Sequence, residues 1–133
     1  MLSLLFFITI SGVISYIDVK TGLILDKIIF PSFIVLLVLK YFENTLAFEN
    51  LIAIVIVLII FVIPIILNMA FGGGDLRYGV FAALFLGLVP IGYFIMLSGI
   101  IHVILLTILK KNSFPFAPAM SLGAIGAYLI GNL

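Results

Sequence analysis

The sequence predicts an all-α, polytopic integral membrane protein of about six transmembrane helices, and three observations predict it. Of its 133 residues, 66% are hydrophobic and only 8% charged, with a mean hydropathy of +1.56; a soluble domain is roughly a quarter charged. The apolar residues fall into six runs, 2–17, 28–42, 50–71, 76–90, 91–109 and 114–132. The basic residues alternate in step with those runs. Lys20, Lys27, Arg77, Lys110 and Lys111 follow the first, third and fifth, against Lys40 alone on the other side. By the positive-inside rule this bias puts three connections in the cytoplasm and both termini outside.

The first run lacks the basic start of a signal peptide, and charged residues follow Ser11, Gly12 and Ser15 where a cleavage site would stand, so it reads as a retained helix. Ser11, Ser15 and Asp18 fall at i, i+4 and i+7, so they share one face and Asp18 is expected to look inward. The second and fourth runs are short. A helix of about 16 residues reaches only about 24 Å, which a thinned bilayer or a bundle that admits water accommodates. Pro64 is expected to kink the third helix.

The fourth and fifth runs need a hairpin, for which Gly87-Leu88-Val89-Pro90-Ile91-Gly92 offers a proline and flanking glycines. Without a reversal there the count drops to five. Counting by four from Asp75 gives Gly79, Ala83 and Gly87, a row of small residues that lets membrane helices approach closely. The last run carries a matching row, Ala119, Gly123, Ala127 and Gly131. The two rows are expected to bring these helices into direct contact, with Asp75 facing the bundle and Phe85, off the row, tolerant of Leu.

The functional signal is Gly72-Gly73-Gly74-Asp75-Leu76-Arg77, a carboxylate beside a glycine loop in a chain that is otherwise almost all oil. With Asp18 it makes two acids on the same side. An aspartyl pair hydrolyses a peptide bond with one ionised carboxylate taking a proton from water and one protonated carboxyl polarising the carbonyl. Two close carboxylates cannot both ionise cheaply, so they share a proton. Gly72, Gly73 and Gly74 supply backbone that can approach an extended substrate. Singly, each acid has a plainer role: Asp75 as a helix N-cap, Asp18 as the polar end of a helix next to Lys20. Lys20 and Arg77 read first as topology anchors, and secondarily as charges that favour the ionised member of the pair.

The rest of the composition narrows the function. The net charge of +1 and the lack of any basic cluster beyond Lys110-Lys111 give no reason to invoke nucleic acid. With zero cysteines there is no disulfide or thiolate metal site, and neither a metal nor a cofactor is expected. His102, one turn from Ser98, reads as a packing residue or as one that tunes the acids. Asn68 reads as a partner for loop backbone. Asp26 is a rival to Asp18.

At these residues the chain resembles the type IV prepilin peptidases and archaeal preflagellin peptidases, membrane aspartyl proteases of the GxGD type. Gly72-Gly73-Gly74-Asp75-Leu76-Arg77 is similar to the family's Gly-x-Gly-Asp-x-Lys. Asp18 with the stretch to Leu25-Asp26 is similar to its first catalytic aspartate and the Ile-Pro-Asn or Ile-Pro-Asp beyond it. Pro115-Phe116-Ala117-Pro118 looks like its Pro-Phe-Gly-Pro. Leu25, Arg77 and Ala117 depart from the usual Pro, Lys and Gly. The resemblance implies that Asp18 and Asp75 are catalytic, that Asp26 is not, and that residues 1–133 form a single peptidase domain with no methyltransferase region. It implies a cytoplasm-facing enzyme of the cell membrane that removes leaders from prepilin-like or preflagellin-like proteins. Two other readings use the same carboxylates: a non-catalytic proton or ion carrier, and a presenilin-like intramembrane protease. The sequence leaves the oligomeric state open.

Overall fold

The computed structural model describes residues 2–21, 26–44, 48–67, 73–110 and 117–131. Among these residues there are six helices and no strand: α1 Leu2–Thr21, α2 Asp26–Phe42, α3 Phe48–Ile66, α4 Gly73–Leu86, α5 Leu88–Leu109 and α6 Ala117–Gly131. Each apolar run is a helix, but several borders move. The first helix runs on to Thr21 and so takes in Asp18 and Lys20. The break between α4 and α5 falls on Gly87, the first of the glycines expected to flank the turn and three residues before its proline.

That shift has a local cause. Gly87 has φ 83° and ψ −172°, a conformation open almost only to a residue without Cβ. Pro90 is then the third residue of α5, where its missing N–H would have found no intrahelical partner anyway.

Side-chain pairings give the helix directions. Tyr78 bonds Ser11 while Phe7 stacks on Phe85 with ring centroids 4.2 Å apart, so α1 and α4 run antiparallel. Tyr78 meets Ser121 and Phe85 stacks on Tyr128, so α4 and α6 run parallel. Gly79 lies against Phe61 and Asn50 bonds Leu84, which makes α3 antiparallel to α4. Gly123 faces Ser98 and Gly131 faces Pro90, so α5 is antiparallel to α6. Lys40 reaches Phe85 and Glu43 reaches Ser3, which aligns α2 with α4. The chain does reverse at Gly87. Odd helices run one way and even helices the other, so the ends of α1, α3 and α5 and the starts of α2, α4 and α6 share one end of the bundle.

Helix α4 is the axis of this arrangement and contacts all five others. Tyr78 and every residue from Phe81 to Leu86 are buried, as expected of a helix apolar all round and surrounded by protein. This corrects two expectations. Phe85 is no tolerant outer position, since it is buried between Phe7 and Tyr128. Helices α4 and α6 do come into direct contact as expected, through Tyr78 with Ser121 and Phe85 with Tyr128, but the glycines of the two rows pack elsewhere. Gly79 packs on Phe61 and Val57 of α3, whereas Gly123, Gly126 and Gly131 pack on Ser98, Leu97 and Pro90 of α5. A row of small residues reports close approach to some helix, and the larger neighbours decide which.

Polar and apolar residues are distributed as in a membrane bundle. Ser11, Lys40, Asn50, Ser98 and Ser121 are buried, while Val19, Ile59, Val103 and Ile108 lie on the outside. Helices α1 and α5 are each long and apolar enough to cross a bilayer alone. At 14 residues α4 is about 21 Å long and depends on its neighbours for burial.

Candidate active site

The polar residues of the acid-bearing end come from the close of α1 and the first turns of α4 and α6. Ser11 is 1% exposed and Asp18 is 4% exposed, so the face read from the i, i+4, i+7 spacing does turn inward. The Asp18 carboxylate accepts the backbone N–H of Ala117 at 3.2 Å through Oδ2. Ala117 is the first residue of α6, and its N–H is one of the donors that a helix start leaves without an intrahelical carbonyl. Asp18 therefore anchors the beginning of α6 by accepting a helix-start N–H at the positive end of the helix dipole.

Asp75 is the third residue of α4 and half-buried. The helix begins at Gly73, so Gly73 and Gly74 form its first turn rather than the loop expected of them, and Gly72 lies outside the described residues. Asp75 is accordingly inside the helix and not its N-cap. Gly73 and Gly74 still have N–H groups with no carbonyl a turn earlier in the helix to bond. At 100° per residue, Asp75 points between the direction of Gly79, which faces α3, and that of Tyr78, which faces α1 and α6. The antiparallel packing of α1 and α4 puts Asp18 and Asp75 at the same end of the bundle.

Below the acids lies a group of hydroxyls. The Tyr78 hydroxyl donates to Ser11 Oγ at 2.8 Å and lies 2.7 Å from Ser121 Oγ. Ser15 Oγ is 2.7 Å from the same Ser121 oxygen. Sequence reasoning singled out Ser11 and Ser15 but missed Tyr78 and Ser121. The only local signal for Tyr78 is its place one turn after Asp75, and Ser121 has a comparable place one turn after Ala117.

The remaining expected residues are placed as follows. Lys20 is exposed, with Nζ 4.9 Å from the centroid of the Tyr16 ring, on the outer side of α1. Arg77 is exposed. Asp26 is the first residue of α2. His102 is half-buried on α5, one turn after buried Ser98. Asn68, Pro115 and Phe116 lie outside the described residues. Among the described residues no three His, Cys, Asp or Glu side chains gather as a bound metal would require.

A family model described as the type IV leader peptidase family matches residues 5–109, well over half of the 133. The chain belongs to the type IV leader peptidase family. Membership makes it a peptidase, and with its apolar helices it is a membrane protein. The matched span includes Asp18 and Asp75 and ends at the close of α5, so the α6 residues that meet Asp18 and Tyr78 lie beyond it. Neither the curated proteins nor the solved structures give a match.

Proposed function

We propose that this leader peptidase is an aspartic endopeptidase in which Asp18 and Asp75 act as a pair on the leader of a prepilin-like or preflagellin-like substrate. The observation that carries the reading is their common end of the bundle: Asp18 is bonded to the first N–H of α6, and the turn after Asp75 is bonded to the turn after that N–H.

In the reaction, water attacks the scissile carbonyl carbon while the ionised carboxylate takes its proton. The protonated carboxyl donates to the carbonyl oxygen, and collapse of the tetrahedral intermediate breaks the C–N bond as the amine takes a proton from the acid pair. A leader substrate is itself an apolar helix preceded by extended chain. The N–H groups of Gly73 and Gly74, pointing out of the start of α4, suit main-chain carbonyls of that extended part. All six helices are assigned to the membrane, with the shared acid end at the cytoplasmic face, because Lys20, Lys27, Arg77 and Lys110 lie there.

Two experiments test this. Purified protein in detergent, incubated with prepilin and preflagellin leader substrates, gives products whose masses identify a single cut before the apolar helix; intact substrate of both kinds contradicts the substrate class. A cysteine at Thr21 is labelled from the cytoplasm and one at Asn44 from outside. Labelling of Thr21 from outside reverses the orientation.

A further inference from the structure

Three helices are tied by hydroxyls at one level of the bundle, and each tie lies one turn from the acids. Ser15 is three residues before Asp18, Tyr78 three residues after Asp75, and Ser121 four residues after Ala117, whose N–H Asp18 accepts. Tyr78 is wholly buried, and Ser11 and Ser121 are 1% and 7% exposed. Each hydroxyl has one proton to give. The order Ser15 to Ser121 to Tyr78 to Ser11 satisfies all three contacts with a single chain of donors across α1, α6 and α4.

We infer that Tyr78 and Ser121 are positioning residues: their hydrogen bond fixes α4 against α6 and α1, and so sets where Asp75 stands relative to Asp18. The inference rests on the proposed Asp18/Asp75 pair. Apolar packing alone resists separation of helices but only weakly resists their sliding. Directional bonds in a buried, low-dielectric setting fix the register, because a displaced hydroxyl is left without a partner. The Ala117 carbonyl lies 2.9 Å from Ser121 Oγ and competes with Tyr78 for the one proton of that hydroxyl, so either choice ties Ser121 to a neighbour of the acids.

The test compares Tyr78→Phe, Ser121→Ala and the double variant, purified in detergent, with Asp18→Asn assayed alongside on the same leader substrate. Misplacement of reacting groups by about 1 Å costs on the order of a hundredfold. Each single variant is therefore expected to lose about ten- to a hundredfold in kcat, with KM within about twofold of native. The double variant should lose no more than the worse single, because both break the same junction. Native kcat in folded Tyr78→Phe, a loss confined to KM, or losses that multiply in the double variant overturns the inference. If Tyr78→Phe does not fold, Ser15→Ala at the half-buried edge of the junction decides instead: reduced kcat at unchanged KM supports the inference and native kcat overturns it. Cleavage by Asp18→Asn overturns the acid pair itself, whatever the hydroxyl variants do, so the two failures are distinct.

Discussion

The two ends of the bundle use polar residues in different ways. At the end away from the acids, polar side chains close helix termini. Both Glu43 carboxylate oxygens lie 3.3 Å from the Ser3 N–H at the start of α1. Lys40 Nζ donates to the Phe85 carbonyl at 2.8 Å and Asn50 Nδ2 to the Leu84 carbonyl at 2.7 Å, which satisfies carbonyls that the C-terminus of α4 leaves over. Gly87 then turns the chain directly into α5. At the acid end the Asp18 carboxylate also meets a helix start, and one turn away a set of hydroxyls runs from one acid-bearing helix to the other. Terminal capping alone serves stability. In the proposed function, the same chemistry one turn from a second acid on a neighbouring helix serves geometry, and that would separate a closed end from a reactive one.

The comparison is sharpened most by disturbing α6, which belongs to the acid end through Ala117 and Ser121. A Cβ on Gly123 would collide with Ser98 Oγ and come within 2.8 Å of the Ser98 backbone nitrogen, so the two helices must part. Gly123→Ala is expected to lower stability by about 1–3 kcal/mol and to cut activity per folded molecule far more than thermal melting in detergent reflects. Gly126→Ala is the control, since its Cβ would meet only the flexible end of Leu97 at 3.1 Å. Equal activity in the two variants would separate α6 from the acids.

At the closed end, Asn50→Ala or Lys40→Met leaves an α4 carbonyl buried without its donor, at a cost of about 1–3 kcal/mol. Melting temperature should fall while kcat of the folded fraction stays native. A fall in kcat comparable to that of Tyr78→Phe would break the distinction between the ends.

The smallest effect belongs to Glu43. Hydrogen bonding from Ser3 holds its carboxyl at about 2, below the usual 4.5. The folded state therefore favours the ionised form. The stabilisation is full above about pH 4.5, and is lost as pH falls toward about 2. The melting temperature of wild type should exceed that of Glu43→Gln at pH 6, and the gap should close on acidification. A constant gap would remove the carboxylate from its role at α1.

Much of this fold is legible in the sequence because hydropathy alone sets where apolar runs begin and end. The inward face of α1 is equally legible, since Ser11, Ser15 and Asp18 share one helical spacing and lead to the carboxylate. The α4/α5 hairpin is read within the right six residues, 87–92, but the run border drawn at 90/91 is three residues late, because hydropathy does not reveal which residue of that turn carries the positive φ. The contact of α4 with α6 is read correctly from their small residues, but not what the glycines touch, because Phe61 and Val57 on α3 fill the space at Gly79 and Ser98 on α5 the space at Gly123. Tyr78 and Ser121 are 43 residues apart, and nothing local links them. Their meeting depends on the parallel packing of α4 and α6, a property of the whole bundle.

The central claim is that two carboxylates on different helices act as one chemical unit. Cleavage of a leader substrate, read by product mass, by purified Asp18→Asn, Asp75→Asn and Asp26→Asn proteins tests it most directly, with thermal melting to show that each is folded. Neither acid can take over the other's proton transfer, so the first two variants should yield no product while Asp26→Asn cleaves at a rate close to native. Full cleavage by a folded Asp18→Asn or Asp75→Asn would contradict the account.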